Sequence, residues 1–266
     1  MHFSPFCAIR VLPKTLFFVL LVSGTALFAQ APIPSSAARR DSDAVALLRQ
    51  SLVKMGVLAT PNRSTVSTGS FLNLRTGAAS PLTIKTLGTD FLRNEVGSDF
   101  VFIRNGNSGK SRYSGKDHNL APHILAYKRP ENLPALLIMS DLESPQVNCV
   151  MIGQESVNGV VASHIRLSVL PQNPQSAADV TAEELESETH VWIDAQGLVV
   201  KARVFNFSPE IVENRSPVDL YYSDYRQVEG FLVPFHVLRE VDRRKDAEIT
   251  FTSIVLNASL SPADFQ

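Results

Sequence analysis

The run Arg104-Asn105-Gly106-Asn107-Ser108-Gly109-Lys110-Ser111 ends in Gly-Lys-Ser, as a phosphate-cradling loop does. Such a loop needs a glycine at its first position, where Arg104 stands. It also needs a helix N-terminus after the lysine to aim amide protons at phosphate. Arg112-Tyr113-Ser114-Gly115 follows instead and reads as strand and turn, so Asn105-Gly106 is expected to turn a hairpin. Asp117, His118 and His123 offer a carboxylate and two imidazoles, donors that zinc accepts. Their spacing fits no usual template, and the segment reads as a solvated loop. Cys149 sits in the apolar run Val147–Ile152, where a thiol serves as a small hydrophobe more readily than as a nucleophile. No serine occupies a Gly-x-Ser-x-Gly elbow. Glu183, Glu184, Glu186 and Glu188 read as a solvated acidic face. His164 and His190 fall on different strands and could meet across a sheet, but each reads more simply as a polar residue on a wet face. The sequence therefore predicts no catalytic residue, no metal site and no cofactor.

The elements that would carry these residues are mostly strands. Val45, Leu48 and Leu52 recur on one face of a helix running from Ala44 to about Met55, with Ser42 or Asp43 as its cap. Short apolar and β-branched runs follow over 65–75, 82–87, 91–96, 100–104 and 110–113, separated by turn residues such as Gly88-Thr89-Asp90 and Gly97-Ser98-Asp99. Pro122, Pro130 and Pro134 break residues 119–141 into one or two short helical pieces. Strands resume at 147–152, 160–170, 190–193, 198–207, 218–228, 231–241 and 248–260, with 171–187 as a polar surface excursion. No strand–helix–strand alternation occurs, which excludes a doubly wound parallel sheet.

Side-chain alternation predicts how such a sheet is covered. Lys201 and Arg203 share one face of their strand, and Val200, Ala202 and Val204 share the other. Over 248–260, strict alternation puts Ile249, Phe251 and Val255 on one face and Ile254, Leu256 and Leu260 on the other. Over 231–241, Val233, Phe235 and Val237 stand against Leu232 and Leu238. Strands that are apolar on both faces need cover on both, or enclose something apolar.

The N-terminus points to export. Arg10 and Lys14 precede the apolar run Leu16–Val22, and Ala29-Gln30-Ala31 closes the segment as a signal peptidase site would. The expected organisation is a cleaved signal peptide over 1–31, a flexible lead over 32–42 and a single domain over 43–266, located in the periplasm. Formal net charge is −1 for the whole chain, and −3 without Arg10 and Lys14. That mixed balance excludes the basic stripe of a nucleic-acid binder. With Cys7 inside the signal, Cys149 is the one remaining thiol, so the fold has no internal disulfide.

The C-terminal half resembles a known family. Asn158-Gly159-Val160 leading to Ile165-Arg166-Leu167, and Val191-Trp192-Ile193-Asp194 leading to Gly197-Leu198-Val199-Val200-Lys201, match its strand and hairpin patterns. So do Tyr225-Arg226-Gln227-Val228-Glu229-Gly230 with Val233-Pro234, and the closing Ile254, Leu256-Asn257, Leu260 and Phe265. Over about residues 147–266 the chain is similar to the outer-membrane lipoprotein carriers (Lol-type) and their lipoprotein-sorting relatives. The resemblance implies a mainly β fold with some α: a strongly curved antiparallel sheet, an unclosed barrel, whose concave face is covered by short helices. It implies a binding or carrier protein for a lipid-like ligand or lipoprotein acyl chains, with envelope membrane proteins as further partners and no enzyme activity. A ligand-free structural or adaptor protein of the envelope is the alternative. An exported hydrolase has no supporting motif. Phe71, Phe91, Phe100, Phe102, Phe235 and Phe251 are the expected lining residues; the alternative is that all six fill a dry core.

Overall fold

A computed structural model describes residues 37–56, 64–121, 125, 130–142, 144–207 and 215–266. The expected signal peptide, the first part of the expected lead and His123 lie outside the described residues. Thirteen antiparallel strands form one sheet. Six precede the proline-rich segment: β1 (Ser64–Asn73), β2 (Ala79–Leu87), β3 (Phe91–Val96), β4 (Phe100–Asn105), β5 (Ser108–Tyr113) and β6 (Lys116–Asn119). Seven follow it: β7 (Val147–Val157), β8 (Val160–Val169), β9 (Thr189–Asp194), β10 (Val199–Phe207), β11 (Arg215–Val228), β12 (Phe231–Val241) and β13 (Arg244–Leu256). The spatial order is β6-β5-β4-β3-β2-β1-β13-β12-β11-β10-β9-β8-β7. The sheet is thus two meanders joined where β1 pairs β13, and it does not close. The Gly-Lys-Ser run lies in the β4–β5 hairpin, where Asn105 pairs Ser108 and Gly106 takes φ +60°. Asp117 and His118, expected in a loop, form the exposed edge strand β6, and Asp117 pairs with Arg112 at 2.6 Å.

Strands β6 and β7 are consecutive in the chain yet sit at opposite edges of the sheet. Their connection must therefore cross from one edge to the other, and it carries helix α2 (Pro134–Leu142). Helix α1 (Ser42–Lys54) packs beside α2 and β7. Its buried positions Ala44, Leu48, Ser51 and Leu52 follow the 4, 3 and 1 steps of one helical face. Leu48 and Leu52 join Ile138 and Leu142 of α2 in one core with Ile165, Val191, Val199, Val233 and Phe251. Arg39 to Asp41, the end of the expected lead, lie along β7, with Asp41 N–H donating to the Cys149 carbonyl at 2.8 Å and Cys149 N–H donating to the Arg39 carbonyl at 2.7 Å. The Arg40 guanidinium donates to the carbonyls of Leu142 (2.7 Å) and Ser144 (2.8 Å), so one side chain caps α2 and pins the entry to α1.

The polar excursion over 171–187 contains a helix, α3 (Ala177–Ser187). Ser176 accepts from the Asp179 amide, and Asp179 returns a bond to the Ser176 amide, a complete capping box. At the C-terminus a 3-10 turn, Pro262–Phe265, places the fully buried Phe265 against Phe91, ring centroids 5.5 Å apart.

The two-faced reading of β13 is corrected by a bulge. Thr68 pairs Ser253 but Gly69 pairs Phe251, so Thr252 is extra in the ladder. The extra residue shifts the parity of everything after it. Ile249, Phe251, Ile254 and Leu256 all join the same core, and Val255 is left 45% exposed. Gly69 permits the close approach: a Cβ there would lie 2.1 Å from the Thr250 carbonyl oxygen. Gly69→Ala is expected to lower unfolding free energy by about 2 kcal/mol or more, because backbone has to move to admit the methyl. Urea unfolding checks this, and an unchanged midpoint and slope would refute the bulge account.

Candidate ligand cavity

Between β1–β5 and β10–β13 lies a cavity of about 1050 Å³. Register builds its wall. Phe71 stands beside Ile249, and Ile249 beside Val237. Leu82 stands beside Val96, and Val96 beside Phe100. Ile84, Asn94 and Phe102 form the next row. All nine line the cavity. Cross-strand neighbours on one face touch directly, so each of these rows presents an apolar strip, with Asn94 as the polar member of the last. Residues 186–189, residues 204–207, Leu220 and, from the segment before α2, Glu131 and Asn132 add to the lining. The last two are tied to the sheet: Tyr222 Oη donates to the Glu131 carbonyl at 2.8 Å, and Asn132 Nδ2 donates to Ser67 Oγ at 3.2 Å.

Of the six aromatic residues expected to line a cavity, Phe71, Phe100 and Phe102 do so. The other three lie elsewhere. Phe91 alternates with the cavity-facing Leu92 and so points to the opposite face, where Phe265 covers it. Phe235 and Phe251 are on the concave face but are 6% and 2% exposed, packed into the core that the helices cover. Sequence reasoning missed Asn94, Asn132 and a set of charges at one end of the cavity: Arg75, Arg239, Asp242, Arg244, Lys245 and Asp246. These lie in the β1–β2 and β12–β13 turns or at their edges. The turns could be read from the sequence, but their adjacency depends on the β1–β13 pairing.

The opposite face of β7–β11 holds a second arrangement, which the sequence reading treated as a wet surface. Trp192 is 2% exposed and stacks on His164, centroids 4.1 Å apart and planes 17° apart. Lys201 Nζ lies over both Trp192 and Tyr221, at 4.5 and 5.0 Å from the ring centroids. Asp219, buried between strands, receives two hydrogen bonds from Arg203 (2.6 and 2.8 Å) and an ion pair from Lys201 (3.1 Å). Burial pushes the Asp219 carboxyl up, but these cations outweigh it and hold its pKa below the ordinary value. His164 and His190 do meet, Nε2 to Nδ1 at 2.7 Å. Glu155 closes the chain at His164 Nδ1 (2.7 Å) and Glu188 at His190 Nε2 (2.6 Å).

Burial pushes the pKa of His164 down, only partly countered by Glu155. Arg215 adds a 3.0 Å ion pair to Glu188. The row offers no nucleophile and is linear, and among the described residues no three His, Cys, Asp or Glu side chains converge on a metal position. Cys149 is fully buried, and burial pushes its thiol up to about 11, out of nucleophile range.

No protein-family model matches the chain, and no curated protein matches it in sequence. Solved structures share its fold. A DUF1329 family protein from Desulfovibrio piger superposes with a TM-score of 0.50 at 11% identity, over 83% of this chain and 96% of that one. A LolA superfamily protein from Nitrosomonas europaea gives 0.49 at 12% identity, over 82% and 97%. An outer membrane lipoprotein-sorting protein domain from Vibrio parahaemolyticus gives 0.44 at 13% identity, over 84% and 95%. The unclosed antiparallel sheet with short helices is thus a fold that the Desulfovibrio piger DUF1329 family protein shares. At these identities the likeness is one of fold.

Burial would push the Glu188 carboxyl up, but the His190 and Arg215 hydrogen bonds overcome it and hold its pKa down to about 2. A depressed carboxylate contributes stability at neutral pH that is lost as pH falls from about 4.3 through the folded value. The size is on the order of 3 kcal/mol if Glu188 alone carries it. Wild-type stability should fall between about pH 4.5 and 2, and Glu188→Gln should be less stable at pH 7 and flatter over that window. Thermal unfolding against pH checks this, and parallel curves for the two proteins would remove Glu188 from the account.

Proposed function

We propose that this chain is an exported binding or carrier protein of the cell envelope, whose ligand is lipid-like: an acyl chain, free or attached to a lipoprotein. The observation that carries the reading is a cavity on the concave face. Phe71, Phe100 and Phe102 stand on regular strands around a space of about 1050 Å³. That is at the upper end of the range for small-molecule sites, roughly 300–1,000 Å³. Each acyl methylene taken from water into such a space is worth about 0.8 kcal/mol, before the ordering cost of the chain. The mechanism is burial and release, with no bond made or broken. Export rests on the signal-type N-terminus, and the lipid class rests on the cavity and on the Lol-type pattern of the C-terminal strands.

The core half of the fold is well fastened. Leu48, Leu52 and Ile138 are at most 1% exposed, and Arg40 ties α1 and α2 to β7. Ligand therefore enters at the open end near the β1–β2 and β12–β13 turns, and α1 stays in place. Purified protein should take up a fluorescent long-chain acyl probe, and native mass spectrometry of gently released protein should show co-purifying lipid. Phe71→Asp and Phe100→Asp should each weaken probe binding about tenfold or more, since a carboxylate then faces the buried tail. Folding of each variant is checked by circular dichroism. Wild-type protein that is recovered bare and takes up no probe would instead indicate a structural or adaptor protein with the same fold.

A further inference from the structure

Resting on that reading, the charges at the open end of the cavity say which amphiphile fits. The β1–β2 and β12–β13 turns are neighbours because β1, β13 and β12 are adjacent in the sheet. Together they bring Arg75, Arg239, Arg244 and Lys245 to the lining, with Asp242 and Asp246. Both carboxylates are already engaged. Asp246 gives one oxygen to Arg75 (3.0 Å) and the other to Arg239 (3.2 Å), and Asp242 accepts from Ser216 Oγ at 3.0 Å. Among the described residues no carboxylate faces Arg244 or Lys245 within ion-pair distance, and both are exposed. Glu240 of β12 stands directly across from Lys245 in the ladder, with no ion pair between them, and accepts from Tyr221 Oη. The other acids of the lining come from elsewhere: Glu188 is bound to His190 and Arg215, while Glu131 and Glu186 belong to the segments around α2 and α3. Among the described residues, the wall thus ends in two exposed cations, Arg244 and Lys245, with no carboxylate in ion-pair contact.

We infer that the ligand is an anionic amphiphile, its carboxylate or phosphate head held by Arg244 and Lys245 at the turn end, its tail laid along Phe71 and Phe100. Arginine suits a planar two-oxygen head and lysine a point charge, so both head chemistries are served. A neutral head of the same size would leave the cations with water only.

The test is competition against a fluorescent acyl probe on the purified protein. The competitors share one tail: a fatty acid, a lysophosphatidic acid and a monoacylglycerol with a neutral head. At least one of the two anions should bind about tenfold tighter than the neutral lipid at low salt, with the advantage shrinking as salt rises. Which anion gains more assigns the head as carboxylate or phosphate. In the double variant Arg244→Glu/Lys245→Glu the ratio of anionic to neutral affinity should fall to about one or below. Equal affinities in the wild type, or a ratio the double variant leaves unchanged, overturn the inference and leave the lipid reading standing. Failure of every amphiphile overturns the lipid reading itself. Displacement by inorganic phosphate as effective as by the tailed anion assigns the cations to a free ion and also overturns it.

Discussion

The constraint that shapes this molecule is topological. Two meanders join through β1 and β13, which leaves the consecutive strands β6 and β7 at opposite edges of an unclosed sheet. The chain between them has to cross from edge to edge, and a path that buries apolar side chains runs over the concave face. Prolines at 130 and 134 keep that path from becoming one long helix, and the short α2 forms after them. Arg40 then does for the crossing what a cap does for a helix end. Its guanidinium takes the carbonyls that α2 leaves open, while its backbone pairs with β7. Removing that side chain would leave the end of α2, the start of α1 and the β7 edge without their common partner.

A crossing of this kind fills the concave face unevenly. Leu48, Leu52, Ile138 and Leu142 of the two helices are fully buried against the strands. Toward β1–β5, Phe71, Leu82, Ile84, Phe100 and Phe102 line a cavity that residues of β10–β13 wall on the other side. A wing built of short hairpins with regular register can keep its shape without a filled interior, because the ladder hydrogen bonds do not depend on what the side chains touch.

Much of this was legible in the residues. The strands of both meanders, the turns and the α1 stripe follow from period and turn chemistry, and the observed bounds differ by a few residues at most in nearly every case. The capping box of α3 was also present, as Ser176 followed three residues later by Asp179, but an acidic, polar stretch hid it. Two things were not legible. The parity of β13 changes at Thr252, and alternation carried past a bulge puts every later residue on the wrong face; the cue was Gly69 on the partner strand, visible only once the partner is known. The cavity, likewise, is made by register between strands far apart in sequence. Phe91 and Phe102 look alike in their local runs, and only the pairing of β3 with β4 shows that they face opposite ways.

The reverse side of the sheet explains why a half-filled fold can hold together. Strands β7–β11 are clamped there by side chains that bridge from strand to strand: Glu155 on β7, His164 on β8, His190 and Trp192 on β9, Lys201 and Arg203 on β10, Asp219 and Tyr221 on β11. Buried ions add little net stability by themselves, since desolvation offsets most of their attraction. What they add is specificity of register, because sliding any strand by one residue would turn its charge to the core and leave its partner bare. The aromatic stack of Trp192 on His164 and under Lys201 works in the same direction, tying three strands through one ring. The sheet is thus locked where the helices press on it, and the wing that carries the cavity hangs from the locked half through β13 and β1. That division lets the cavity stay open without exposing the part of the core on which folding depends.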